Sequence, residues 1–237
     1  MRILCCILTL GLLLSSCKQD KKAPQEVAPT ESREPSEASQ KSNSTEEPDI
    51  TTKAGLVAQQ AGIEQWKQVE QVQFTFNVEK GGKNLVSRQW TWNPKSDMVQ
   101  LISKGETVNF NRRSLNDTIT KSADRSFVND VYWLLPQFKL VWDTGTKITY
   151  PTEDLVRIAY VGDGGYTPGD RYDLRLNDQN RITQWEYYPQ GSDSPTMTTT
   201  FEDYKTFNGI EIAQQHKAVD GDLNIYFTDI NILKNKQ

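Results

Sequence analysis

The sequence predicts an α+β domain built on one large, curled antiparallel sheet with a few helices covering its concave face. Apolar and polar residues alternate in short runs over much of the chain, which is typical of half-buried strands. Turn sequences rich in Gly, Asn and Asp separate these runs, and such short connections join antiparallel neighbours. Two further stretches have helical spacing. We therefore expect about nine to eleven strands and two short helices, in the order helix, meander, helix, meander.

The first helical stretch opens the predicted domain. Thr51 or Thr52 can cap a helix that runs to about Gln68. Gly62 lies in the middle of this stretch, where a glycine weakens a helix and can split or kink it.

Strong alternation begins after this helix. Phe74 and Phe76 fall on one face of the first strand, and Trp90 and Trp92 fall on one face of the next. Arg88 shares the face of the two tryptophans. We expect this arginine to lie near an end of the strand or to pair with a carboxylate.

The second helical stretch is predicted from Asp124 to Leu135, ending before Pro136. The apolar run from Trp133 to Phe138 fits either the core or a lid over a cavity, and core is the favoured interpretation. Strands resume after Pro151. In the last strand the alternation slips near Thr228, which predicts a β-bulge there.

The N-terminal sequence predicts the cellular location of the protein. Met1 and Arg2 precede an apolar run of about a dozen residues, which suits a signal peptide rather than a membrane span. Leu14-Ser15-Ser16-Cys17 reads as a lipobox, so residues 1–16 are expected to be removed and Cys17 to carry acyl chains. With Cys5 and Cys6 removed, Cys17 is the one cysteine that this interpretation leaves in the mature chain.

The segment after Cys17 predicts a tether. Residues 17–50 are rich in Glu, Ser, Pro, Lys and Gln and contain no aromatic residue, so they cannot bury enough apolar area to fold. A single domain is expected over residues 51–237. Lys18, rather than an aspartate, follows the cysteine, which favours the outer membrane over the inner membrane. We expect the periplasmic face in preference to the cell surface.

The arrangement resembles the lipoprotein-carrier fold of LolA, LolB and their mycobacterial relatives, a half-open antiparallel barrel with helices in its mouth and an apolar cavity between them. Several runs are also similar to uncharacterised lipoproteins of Gram-negative bacteria. The runs are Phe74-Thr75-Phe76, Trp90-Thr91-Trp92, Asp130-Val131-Tyr132-Trp133-Leu134-Leu135, Gly169-Asp170-Arg171-Tyr172 and Asn208-Gly209-Ile210. The resemblance implies a carrier of lipophilic ligands. The chain departs from LolA in having its own anchoring cysteine, as LolB does, and no counterpart of LolB's exposed hydrophobic loop is evident.

Catalytic and nucleic-acid chemistry have little support in the sequence. The net charge is −4 and no basic stripe is present, which gives nucleic-acid binding no electrostatic basis. No nucleophile elbow, P-loop, dinucleotide fingerprint or His/Cys metal motif occurs. His216 is the one histidine, and we expect it to be an ordinary strand residue. We therefore predict no enzyme, no cofactor and no metal site.

The aromatic residues carry the binding hypothesis. If the helices cover only part of the concave face, an apolar cavity able to hold acyl chains opens beneath them. Its predicted lining residues are Phe74, Phe76, Trp90, Trp92 and Trp133. If the sheet closes fully on its helices, these residues are plain core. The chain is then a membrane-tethered module that binds another envelope protein through a sheet edge or loops. A hydrolase is the third, weaker hypothesis.

Overall fold

The computed structural model describes residues 49–162 and 166–235. The predicted signal peptide, Cys17 and nearly all of the tether lie outside the described residues. The helices are α1 (Lys53–Gln60), α2 (Ile63–Trp66), α3 (Thr118–Leu134) and α4 (Pro136–Trp142). The strands are β1 (Val69–Lys80), β2 (Lys83–Asn93), β3 (Met98–Ser103), β4 (Glu106–Asn111), β5 (Thr146–Thr152), β6 (Leu155–Tyr160), β7 (Arg171–Leu176), β8 (Ile182–Tyr188), β9 (Met197–Thr200), β10 (Glu202–Phe207), β11 (Ile210–Lys217) and β12 (Leu223–Lys234).

The strands form two antiparallel sheets. The seven-stranded sheet has the order β10-β11-β12-β1-β2-β3-β4, and the five-stranded sheet has the order β5-β6-β7-β8-β9. Strands β9 and β10 are consecutive, with Phe201 alone between them, so one stretch of chain pairs first with β8 and then with β11. A bridge between Thr199 and Ala218 joins the sheets at this point. The α+β class and the curled, open antiparallel sheet are confirmed. The expected single sheet is divided in two at this shared strand.

The first helical stretch is interrupted at Gly62, as the sequence predicts. The Thr52 side chain accepts a hydrogen bond from the Gly55 N–H at 3.0 Å and caps α1. Gly62 separates α1 from α2 and has a φ of 87°, in the left-handed region that glycine adopts without strain. The left-handed conformation of Gly62 therefore separates the two helices.

The predicted meander is present as β1 to β4. Strand β1 lies at the centre of the seven-stranded sheet, between β2 and β12. Its register with β12 shifts between Gln73 and Thr75, opposite Asp229, whose φ is 54°. The bulge expected near Thr228 is thus confirmed.

Helix α3 is longer than predicted at its N-terminal end. Asp117 caps it in a capping box with Thr120, and its first turn is largely exposed. Hydrophobic periodicity detects the buried part of a helix, and here that part begins at Ala123. Helix α4 and strand β5 were not predicted. Pro136 starts α4, and the proline that suggested a break, Pro151, lies inside the edge strand β5.

The helices lie on one face of the curled sheet, and the core lies between the helices and the sheet. Helix α3 contacts strands of both sheets through its aromatic side chains, and α4 packs against α1. Among the described residues, no helix is long and apolar enough to span a membrane.

Candidate functional site

The five residues predicted to line a cavity lie together on the helix-covered face. Phe74, Phe76, Trp90, Trp92 and Trp133 are each no more than 7 % exposed. Both tryptophans of β2 contact the Phe127 ring of α3, at centroid distances of 5.4 and 5.3 Å. Trp133 lies 4.4 Å from the ring of Trp185 on β8. The structure therefore places all five in a packed core, to which α3 itself contributes Trp133, and their contact with a ligand stays a prediction.

An ion pair fixes α3 to this face. The Arg88 guanidinium donates two hydrogen bonds to the Asp130 carboxylate, at 2.7 and 2.6 Å, and the Trp90 indole N–H donates a third at 2.8 Å. Asn129 supplies a fourth donor at 3.0 Å. Burial raises the pKa of Asp130, and these donors act in the opposite direction. The expectation that Arg88 pairs with a carboxylate is confirmed.

A groove lies beside α3 on the concave face. It lies between the N-terminal half of α3 and the inner face of β3 and β4, with a volume of about 340 Å³. We call it the α3–β4 groove, and its lining residues are Leu101, Val108, Thr118, Ile119, Ser122, Ala123 and Ser126. The sequence did not predict this groove. The alternation in β3 and β4 was a usable signal, but the helix that forms the other wall was predicted to start too late.

A cluster of tyrosines lies at the five-stranded end of the same face. The rings of Tyr132 and Tyr172 are 4.7 Å apart, and Tyr160 donates its hydroxyl hydrogen to Asp143 at 2.6 Å. Burial raises the pKa of Tyr132, Tyr160 and Tyr172 above the ordinary phenol value. The hydroxyl groups of these three tyrosines are therefore neutral near pH 7.

His216 lies on β11 in the core, fully buried. Its ring is 4.2 Å from Phe201 and 5.6 Å from Trp133. Burial lowers the pKa of His216 to about 3, so the ring is neutral at physiological pH. The predicted position of His216 on a strand is confirmed. Within residues 49–162 and 166–235, no cluster of three or more His, Cys, Asp or Glu side chains has metal-binding geometry.

Comparison with known proteins finds similarity among solved structures. No family model matches the sequence, and no curated protein is similar to it in sequence. Among solved structures, a LolA superfamily protein from Nitrosomonas europaea is similar, with a TM-score of 0.42 and 9% sequence identity. The match covers 77% of this chain and 94% of that chain.

Proposed function

We propose that this protein binds a lipophilic ligand in the α3–β4 groove. The observation that carries this proposal is an accessible, largely apolar surface between α3 and the sheet. Leu101 and Val108 form the sheet wall of the groove, and Ile119 and Ala123 form part of the helix wall. Ile119 is 65% exposed, so its side chain is available to a ligand.

The dimensions and chemistry of the groove suit an acyl chain. Its volume of about 340 Å³ falls at the lower end of the range of ligand sites, which is about 300–1,000 Å³. Removing apolar surface from water stabilises a complex by roughly 25 cal/mol per Å². Thr118, Ser122 and Ser126 place hydroxyl groups along the helix side, where they can hydrogen-bond the polar end of a lipid.

A direct test measures binding of a fluorescent fatty acid, dansyl-undecanoic acid, to the unlipidated chain of residues 18–237. Ile119→Glu places a charge in the groove, and we expect at least a tenfold loss of affinity because the carboxylate must be desolvated against the acyl chain. Ile102→Glu is the matched control. Ile102 is 38% exposed on the opposite face of β3 from Leu101, so its substitution is expected to leave affinity unchanged.

Two results would contradict binding of the ligand in the α3–β4 groove. One is an equal affinity for wild type and Ile119→Glu. The other is a large change in tryptophan emission on addition of a fatty acid that carries no fluorophore, because the described tryptophans lie outside the groove lining. That change would instead indicate entry of the ligand beneath α3, onto the aromatic residues predicted to line a cavity.

We further propose that lipids on Cys17 anchor the protein at the outer membrane, on its periplasmic face. The lipobox and the residue after the cysteine support this address. A tethered binding domain fits a protein that holds or shuttles a lipophilic ligand at the membrane surface. We expect Cys17→Ala to move the protein from the membrane fraction to the soluble fraction. Unchanged fractionation of that variant would contradict the anchor.

A second candidate function is binding of an envelope protein at a sheet edge. The edge strand β5 carries Lys147 and Pro151 and has an irregular register, features that prevent further pairing. The opposite edge strand, β4, pairs with β3 without interruption and contains neither lysine nor proline. The Arg112 N–H donates to the Asp97 carbonyl at 2.9 Å, which sets the alternation of the ladder.

This alternation directs the main-chain groups of Thr107 and Asn109 outward from the sheet. An extended segment of a partner can therefore pair with β4. Thr107→Pro removes one outward N–H and leaves the bonds to β3 in place. A photo-crosslinker at Asn109 is expected to capture a defined partner in cells, and Thr107→Pro is expected to abolish the product. An equal product from a crosslinker at Thr149 on β5 would contradict this candidate.

A further inference from the structure

The outer face of the seven-stranded sheet, on the opposite side from the helices, carries a row of uncharged polar side chains. The row crosses five paired strands and consists of Asn231, Gln73, Thr91, Gln100 and Asn109. Each of these residues lies between two apolar residues of the core along its strand, so its own side chain projects outward. The Asn231 amide donates to Gln73 Oε1 at 3.1 Å, and the Gln100 amide donates to Asn109 Oδ1 at 2.9 Å. We call these five residues the polar row.

An aromatic ring and a carboxylate share this face with the polar row. Tyr226 of β12 is directly opposite Asn77 of β1 on one side and Gln215 of β11 on the other. Between Tyr226 and the polar row, β12 contains the bulge at Asp229. The exposed carboxylate of Asp229 accepts a hydrogen bond from the Thr75 hydroxyl at 2.9 Å. Amide and hydroxyl groups therefore surround one phenol ring and one carboxylate.

The outer face of the five-stranded sheet has a different character. Arg157, Asp173 and Glu186 are paired in one row there, and the Arg157 guanidinium donates two hydrogen bonds to Asp173 at 2.7 and 2.6 Å. In the same face Arg175 donates to Glu186 at 3.0 Å. The polar row contains no charged residue, although 24% of the chain is charged. An anionic ligand would find no counter-charge in the row and would meet Asp229, so the ligand that fits this face is polar and neutral.

A neutral glycan has the chemistry that this face can recognise. Each carboxamide of the polar row supplies both donors and an acceptor, which match sugar hydroxyl groups and the N–H and C=O of an acetamido group. Neighbouring strands lie about 4.7–4.9 Å apart, close to the length of one hexose unit in an extended glycan. The row can therefore contact successive sugar units. The face of an aromatic ring is negative and attracts the C–H groups of a sugar ring.

We propose that the outer face of the seven-stranded sheet binds a neutral glycan that contains N-acetylhexosamine. The polar row hydrogen-bonds its hydroxyl and acetamido groups, the Tyr226 ring packs on a sugar ring, and the Asp229 carboxylate accepts from sugar hydroxyl groups. The site lies on the opposite side of the sheet from the α3–β4 groove. This inference does not depend on the proposed lipid ligand.

The test is an NMR titration of the full, nitrogen-15-labelled chain with tetra-N-acetylchitotetraose, a neutral chain of N-acetylglucosamine units. We expect saturable shifts of the side-chain amide resonances of Gln73 and Gln100. Gln184 is the internal control in the same spectra, because it is a carboxamide on the outer face of the five-stranded sheet, beside Glu186. Its resonances are expected to stay in place. The affinity is expected to be equal at low and high salt, since the ligand has no charge to screen.

Tyr226→Thr removes the aromatic ring and keeps a residue that favours a strand. We expect this variant to bind the tetrasaccharide about tenfold more weakly. The matched control is Tyr150→Thr on the edge strand β5, where the tyrosine is 43% exposed, and its affinity is expected to equal that of wild type.

Three outcomes would overturn the proposal. They are the absence of saturable shifts in the wild-type protein, equal shifts at Gln184 and in the polar row, and equal affinities of wild type and Tyr226→Thr. Should Tyr226→Thr fail to fold, the wild-type comparison of the polar row with Gln184 decides. Failure of fatty-acid binding in the α3–β4 groove would leave each of these results unchanged.

Discussion

At the scale of single residues, Arg88 and Asp130 are the contact that connects the sheet to α3. The side chain of Asp130 is fully buried and that of Arg88 is 21% exposed. A buried ion pair adds little to stability compared with an apolar pair, but removing one partner leaves the other charge uncompensated. The intact pair therefore contributes little to the free energy of unfolding, whereas removal of one partner lowers it strongly.

We expect Arg88→Met to lower the free energy of unfolding by about 3 kcal/mol, because Asp130 keeps its burial and loses two charge-assisted bonds. Chemical denaturation measures this loss. Lys217→Met removes an exposed ion pair with Glu202 and is expected to cost under about 1 kcal/mol. Equal costs for the two variants would show that burial does not set the strength of the Arg88 pair.

The sequence predicted only part of this contact. An arginine on the inward face of a strand requires a carboxylate, and that requirement predicted a partner for Arg88. It did not identify Asp130, which lies 42 residues away on a different element. Only the position of α3 on the sheet determines which carboxylate reaches the guanidinium, and alternation within one strand contains no information about that position.

At the scale of elements, the junction of α1 and α2 packs against the β10–β11 hairpin. A Cβ on Gly62 would lie 2.0 Å from the Gly209 carbonyl oxygen. The Glu211 N–H donates to the Ala61 carbonyl at 3.0 Å in the same contact. The glycine thus serves both the left-handed backbone and the close approach of the hairpin.

Gly62→Ala is therefore expected to cost more than positive φ alone requires. Gly82 is the matched control, with a φ of 72° and no heavy atom within 4 Å of a Cβ placed there. Gly82→Ala is expected to lower the free energy of unfolding by about 1 kcal/mol, the usual cost of the left-handed conformation. Gly62→Ala adds displacement of the hairpin and is expected to exceed it. Similar losses for both variants in denaturant titrations would disprove the close contact.

Elements with a clear period were predicted, and elements without one were missed. The helix break at Gly62 and the bulge in β12 follow from local chemistry. Helix α4 has seven residues and begins at a proline, so it has neither the length nor the periodicity that identify a helix. The groove combines the start of α3 with the end of the sheet. That combination depends on tertiary packing, which the sequence does not state.

At the scale of the whole molecule, His216 makes stability depend on pH. Its pKa is about 3 in the folded protein and 6.5 as the reference for an exposed histidine, so the unfolded chain takes up the proton first. Stability from this group is therefore present above pH 6.5 and is lost as pH falls towards 3.

Between about pH 6 and pH 3.5 this loss is expected to approach roughly 1.4 kcal/mol per pH unit. Carboxylates titrate in part of the same range, so the measurement is the difference between wild type and His216→Leu in denaturant titrations at several pH values. We expect the variant to have the shallower decline below pH 6.5. Parallel curves for the two proteins would contradict a neutral buried ring.

The continuous stretch of β9 and β10, which the two sheets share, affects how the described domain unfolds. The stretch from Met197 to Phe207 supplies backbone partners to β8 in one sheet and to β11 in the other. Melting either sheet strips hydrogen bonds from a strand that the remaining sheet requires at its border. We therefore expect the two halves to lose structure as a single cooperative unit, with one calorimetric transition rather than two.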